Sequence, residues 1–362
     1  MKEKDLSGEQ IKDLIRIIAF FWLLTKIWSY RTWITERTYP VIPWMDFLNS
    51  VPGFFHLFLF GFSLLALLVL LCFKMKRGVM IALFCNELMS CALDTVRDQP
   101  WEYMYMCFLL IFIINFKKTK PVLFLSHLFL VSIYLFSGLH KFTRDFLSVV
   151  WLNMFLIKFL GLSMEVILKY KLFFAGLFIP MIEVGAAVLL LASKVKQKIS
   201  YLLISMHLSI LIILGPFGLK YNSVIWPWNL AMIFILVVVY SRPVEVLTKT
   251  IVFRNFYWLV LWFVMPVFSF FGRWYQYFSF NLYSGKGTRV YVCVSKDEKN
   301  LQPYFEKNDS LCKGQAGINL QDWALEEIKS APIPETENYK KIAEYLKQKY
   351  GKDQVKVIFY NP

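Results

Sequence analysis

The chain has 362 residues, 57% of them hydrophobic and only 18% charged, with 35 Phe and 12 Trp. So apolar a composition excludes a water-soluble globular domain and predicts a multi-pass membrane protein. The formal charge is +15, yet residues 285–362 hold 13 Lys/Arg against 11 Asp/Glu, so nearly all the excess lies in the first 284 residues. Loops facing an anionic inner leaflet account for that pattern, which makes membrane lipids an expected partner and excludes nucleic acid.

The opening MKEKDLSGEQ mixes both charges and runs into a long span without a small-residue cleavage site, so the first helix is expected to be retained. Stretches long enough to cross about 30 Å of hydrocarbon, or nearly so, follow. They lie at 11–31, 51–73, 78–96, 101–116, 121–140, 171–193, 199–215, 223–240 and 256–273, about nine spans. The basic clusters KMKR (74–77), KKTK (117–120), KVKQK (194–198) and the stretch 242–254 fall on every second loop. Placed inside, they put the N-terminus in the cytoplasm and the C-terminal tail outside.

The opposite loops pair Trp with Pro in YPVIPW (39–44), DQPWEY (98–103) and WPWN (226–229). These read either as an aromatic belt or as a cap over an outward-facing cavity. Residues 142–170 are too long for a turn and are interrupted by Asn153, Lys158 and Glu165. An amphipathic or re-entrant segment at the outer surface is expected there, since another crossing would break the alternation of charge.

From about residue 282 the composition turns polar, with strand patterns at 289–294 and 354–360 and helix patterns at 319–330 and 337–350. The fold class is therefore an all-α polytopic membrane bundle over residues 1–284 with a small extracytoplasmic α+β domain over 285–362. Cys293 and Cys312, with 18 residues between them, form either a disulfide in an oxidising compartment or two free thiols. No CxxC or Cys/His ligand spacing appears, and no metal site is expected.

Ionisable residues within spans are costly and are functional candidates. In the fifth span His127, Tyr134 and Lys141 recur every seven residues with Ser137 between the last two, which makes one polar stripe. His127 and Lys141 are about 21 Å apart along the helix and cannot pair. Lys141 is either an interface anchor reaching for headgroups or the reactive base of an outward site. Glu87, Ser90, Cys91 and Asp94 make a second stripe. Glu183 and His207 both fall near mid-membrane, where a buried Glu–His pair would satisfy each group. Gly176, Pro180 and Ala187 share the Glu183 face and leave room for a close neighbour. Arg16 and Lys26 read as anchors at opposite ends of the first span.

YLFSGLHKF (134–142), the apolar span beyond it and MHLSILIILGPFG (206–218) resemble the transmembrane core of vitamin K-dependent γ-carboxylases and their bacterial relatives, the HTTM (horizontally transferred transmembrane) domain proteins, over roughly residues 11–284. DoxX-like proteins linked to respiratory quinones share the same hydrophobic character. The resemblance implies a quinol-linked reaction, with a menaquinone or vitamin K type of quinol, at the outer face of a bacterial cytoplasmic membrane. It implies Lys141 as base with His207 and Glu183 beside it, and His140, Tyr134 and Ser137 toward the cofactor. The family's Asn-Asn-His stretch has no counterpart, the comparable region reading LDTVRDQPWEYMY (93–105), and the tail is far shorter than one that holds a propeptide. The expected partner is an exported peptide or another membrane protein, either as the substrate of an enzyme or as the cargo of a non-enzymatic scaffold. No inverted repeat or paired broken helices suggest transport.

Overall fold

The computed structural model describes residues 3–73, 75–244, 253–285, 287–306 and 311–360, with side chains from residue 8 onward. The basic stretch 242–254 and the Lys74 position of KMKR therefore lie partly outside the described residues. Helices α1 (Glu3–Trp28), α2 (Tyr30–Trp33), α3 (Gly53–Cys72), α4 (Arg77–Leu93), α5 (Pro100–Ile114) and α6 (Thr119–His140) build the first half. A π-helical segment (Phe146–Phe159), α7 (Met164–Lys169), α8 (Phe178–Ala192), α9 (Lys196–Leu214), α10 (Ile225–Val239) and α11 (Phe256–Leu259), which continues in a helical run to Phe271, build the second. Each predicted span is helical. Four helical stretches among the described residues are long and apolar enough to cross a membrane: Gly53–Cys72, Thr119–His140, Leu172–Ala192 and Lys196–Leu214.

Burial ranks these four. The apolar window of α6 is 83% buried, against 39%, 33% and 28% for the others, so α6 is the central helix and the others turn a face outward. Their exposed residues are large and apolar, including Phe58, Leu65, Phe178 and Ile212, the surface expected where lipid replaces water. Helix α1 packs against α3, α6 and α10, and α6 lies along α8.

The close α6–α8 approach has a local cause on α6 itself. A Cβ on Gly138 would stand 2.9 Å from the Glu183 Cβ and 3.1 Å from the Val184 backbone nitrogen. Gly138→Val is expected to force the two helices apart and to cost about 1–3 kcal/mol of overpacking, read as a lowered melting temperature in detergent. Gly176, by contrast, faces the side chain of Trp151 in the π-helical segment, so its small size serves that segment and not a neighbouring span. The π-helical segment has only 14 residues and keeps Phe146, Leu147 and Leu156 buried.

The tail forms an antiparallel sheet in the order β2-β1-β3, from β1 (Arg289–Val294), β2 (Ala316–Asn319) and β3 (Lys356–Tyr360), with α12 (Leu320–Glu327) and α13 (Thr336–Tyr350). Val292 lies opposite both Ile318 and Val357. Asn319 caps α12 by accepting hydrogen bonds from the backbone N–H groups of Gln321 and Asp322. The four-residue β2 carries too little alternation to stand out in sequence. Cys293 and Cys312 are joined in a disulfide, with Cα atoms 5.4 Å apart.

The core of this domain is not self-contained. Tyr39, Ile42 and Val96, from loops between the first spans, pack among Val292, Ile318, Trp323 and Leu346. Glu327 is the polar counterpart of that joint. Its carboxylate accepts from the backbone N–H of Thr38 at 2.6 Å, the backbone N–H of Tyr39 at 2.8 Å, the Thr38 hydroxyl at 2.7 Å and the Trp323 indole at 2.9 Å. Thr32 donates to the Ile328 carbonyl at 2.7 Å, and Gln99 donates to the Ala331 carbonyl at 2.9 Å.

Candidate functional site

Lys141 stands just past the last turn of α6, and its side chain is 9% exposed. Its ammonium donates to both oxygens of Glu183, at 2.6 and 2.7 Å, and to the Ser137 hydroxyl at 2.8 Å. Ser137 is one helical turn back, so α6 supplies the amine and one acceptor while α8 supplies the carboxylate. Lys141 is therefore not an anchor reaching into water. It is half of a buried ion pair, which persists in low dielectric only because both partners are present and hydrogen-bonded.

The expected Glu183–His207 pair is not formed. Helix α8 begins at Phe178, after a 3₁₀ stretch (Leu172–Leu177) that follows Lys171 in a left-handed conformation. Glu183 sits in the second turn of α8 and turns its carboxylate to Lys141 at the end of α6 instead of to His207. His207 instead donates from Nδ1 to the Asn229 carbonyl at 2.7 Å and lies 2.8 Å from the Tyr134 hydroxyl through Nε2. The Asn229 amide donates to the Ile225 carbonyl at 2.8 Å, which fixes its oxygen toward His207. Nε2 is then left to accept from the phenol. A side-chain amide cannot take up a proton, so this chain of groups ends at Asn229 and serves to hold α6, α9 and α10 together.

The remaining residues of the α6 stripe also have separate partners. His127 lies 2.9 Å from the Tyr240 hydroxyl. His140 is 3.1 Å from the Ser269 hydroxyl and stacks on Phe270 at 4.3 Å between ring centroids. Lys141, Glu183 and Ser137 form one group, and Tyr134 and His207 form another.

A second buried charge cluster was not predicted as a unit. Lys26 donates to Glu87 at 2.8 Å, stands 3.7 Å from Glu102 and lies 3.1 Å from the Trp33 ring centroid. It is fully buried, which corrects its reading as an interface anchor. Ser63 also donates to Glu87, and the Trp22 indole donates to Glu102 at 2.8 Å. Nearby, Arg37 pairs with Asp94 at 2.6 Å. Arg97, itself fully buried, stands 3.7 Å from Asp94, donates to the Ser90, Thr32 and Trp33 carbonyls and lies 2.9 Å from His56 Nδ1. Three cations thus face three carboxylates, which gives this cluster the balance of a structural network. The Glu87/Asp94 stripe was the visible signal, and the cations that answer it come from α1 and from two loops.

A cleft of about 540 Å³ opens where the tail domain meets the bundle. The π-helical segment supplies Asn153 and Lys158, the start of α5 supplies Trp101, the turn before α10 supplies Asn222, and the tail supplies Arg289 and Asp322. Trp101, at the start of α5 and 1% exposed, and Trp228, in the first turn of α10, both line this cleft. Asn222 donates to Tyr283 at 3.0 Å and Asn281 donates to Gln276 at 2.7 Å, while the side-chain carbonyl oxygen of each is buried without a donor among the described residues. Burial raises the Asp322 carboxyl above its ordinary range, opposed by the charges of Lys158 and Arg289.

The residues expected to meet a quinol are engaged with one another, Tyr134 with His207 and Lys141 with Glu183 and Ser137. The three ammonium hydrogens have three acceptors, and Lys141, Glu183 and His207 line neither this cleft nor the second cavity described below. Among the described residues, no group of three or more His, Cys, Asp or Glu side chains is arranged to hold a metal ion. Compared with family models, curated proteins and solved structures, the chain matches none.

Proposed function

We propose that the chain is a nine-span protein of the HTTM/γ-carboxylase-like type that receives an exported peptide or small substrate in the cleft between the bundle and an extracytoplasmic tail domain. The observation that carries this reading is the cleft itself. Its wall mixes aromatic rings, two cations, one carboxylate and two asparagine carbonyls in want of donors, which suits a ligand with N–H groups and mixed polarity. The buried disulfide supports the outward placement of the tail, because such bonds persist in oxidising compartments. The basic clusters on alternate loops support a cytoplasmic N-terminus.

On the enzymatic reading Lys141 is the base, and Glu183 takes its proton before substrate is engaged. The two groups are already in direct contact, and the same end of α6 leads within a few residues into the cleft wall at Val149 and Asn153. A second reading, a non-enzymatic scaffold or accessory subunit, is favoured by one observation: every Lys141 donor is already taken within the bundle.

The two separate by mutation and mass spectrometry. The enzyme requires that Lys141→Ala with Glu183→Ala, which removes both charges together, abolish function in vivo at normal membrane abundance, and that a quinone co-purify with the wild-type chain. The scaffold predicts that this double variant still works and that Asp322→Arg with Asn281→Leu, which alters the cleft alone, does not. Full function in both double variants defeats both readings.

A further inference from the structure

The other cavity lies at the opposite end of the bundle, among the residues of the basic loops. It measures about 650 Å³ and is framed by the first turns of α1, the end of α3, the end of α5 and the start of α6. Its floor is apolar, with Ile11, Ile15, Phe73, Phe112, Phe116 and Val122. Its rim is cationic, with Lys12 and Arg16 from α1 and Lys117 and Lys118 from the turn before α6. Among the described residues, its lining contains no Asp or Glu; Glu9, outside the lining, pairs with Lys12 at 2.5 Å on the exposed face.

From this geometry we infer that the cavity is a site for one anionic phospholipid, its phosphate against Arg16, Lys117 and Lys118 and an acyl chain over the Phe112 and Val122 floor. Three features combine. Four basic side chains surround an apolar hollow that opens beside the exposed Phe73, so headgroup and hydrocarbon are served by adjacent surfaces. Lys117 adopts φ 64°, and the Lys118 N–H closes a turn on the Asn115 carbonyl at 2.8 Å, so this turn brings two adjacent lysines to the rim. The 22-residue α6 begins at the same rim with no side-chain cap on its first turn, and its N-terminal amides favour an anion. Free phosphate would meet the same cations but would leave the apolar floor uncovered.

A contrast lies in the KVKQK loop. Lys196 there is buried and folds back to donate to the Leu190 and Ser193 carbonyls at 2.5 and 3.0 Å, which makes it a cap for the end of α8. Its neighbours Lys194 and Lys198 are exposed and do not line the cavity, so they serve as the control.

The test uses the full-length chain purified in detergent, titrated with phosphatidylglycerol or phosphatidylcholine and observed by native mass spectrometry. The wild type and the control Lys194→Gln/Lys198→Gln are expected to hold one phosphatidylglycerol through collisional activation. The triple variant Arg16→Gln/Lys117→Gln/Lys118→Gln is expected to bind it about a hundredfold more weakly. All three positions are exposed, and matching thermal transitions will show that the fold survives. Equal retention of phosphatidylcholine would overturn the inference, as would undiminished binding in the triple variant. Displacement of phosphatidylglycerol by millimolar inorganic phosphate would overturn it in favour of a free-phosphate site.

Discussion

Replacing Glu183 by alanine is expected to cost about 3–5 kcal/mol of stability, because it strands the Lys141 ammonium inside the bundle with only Ser137 as a partner. Lys141→Ala strands the carboxylate in the same way. The double variant Lys141→Met/Glu183→Leu is expected to recover most of the loss, since well-packed apolar side chains need no compensation in hydrocarbon. Thermal unfolding in detergent, followed through the free thiols Cys91 and Cys107, both buried, reads this directly. A double-mutant cycle with no coupling between the two positions would contradict the ion pair. Loss of function in the single variants is therefore no proof of catalysis, and for that reason the functional comparison relies on variants that remove both charges.

The second large effect is expected at Glu327. Alanine there leaves two backbone N–H groups and the Thr38 hydroxyl without their acceptor and the Trp323 indole with only the Thr38 hydroxyl at 3.2 Å, at a cost of about 3 kcal/mol or more. Because those donors belong to both halves of the chain, the variant is expected to loosen the tail from the bundle before either melts. Protease sensitivity of the 34–44 loop, measured below the melting transition, would rise. Glu327→Gln should fall between the two, since one amide oxygen can serve only part of the donor set. Unchanged protection in Glu327→Ala would show that the apolar contacts of Tyr39 and Ile42 suffice.

Much of this architecture is legible in the chain because hydrophobic length and periodicity act locally. The span positions, the polar turn near residue 282, two of the three strands and both tail helices follow from patterns of fewer than about 25 residues. Pairings between distant elements are less legible. Depth along the spans makes Glu183 and His207 partners, but depth does not say which helix faces which, and α8 lies along α6 with Glu183 against Lys141. Lys26 sits near a helix end, where an anchor is the ordinary expectation, and only the arrival of Glu87 and Glu102 from two other helices turns it inward. His207 was recognised as a membrane-embedded group in need of a partner, but its partners, Tyr134 and Asn229, are uncharged and numerous in sequence. The tail's dependence on Tyr39 and Val96 has no local signature at all.

That dependence bears on how the chain is made. Thr38 and Glu327 are separated by 289 residues. At a synthesis rate of about 5–20 residues per second, roughly 15 to 60 s pass between the emergence of one and the other. Throughout that interval the Thr38 and Tyr39 amides lack their acceptor, and Tyr39 and Ile42 lack the tail residues they pack against. Completion of α12 supplies that acceptor, so a ribosome stalled in the final quarter of the message would leave the 34–44 loop uncovered for quality-control proteases to find.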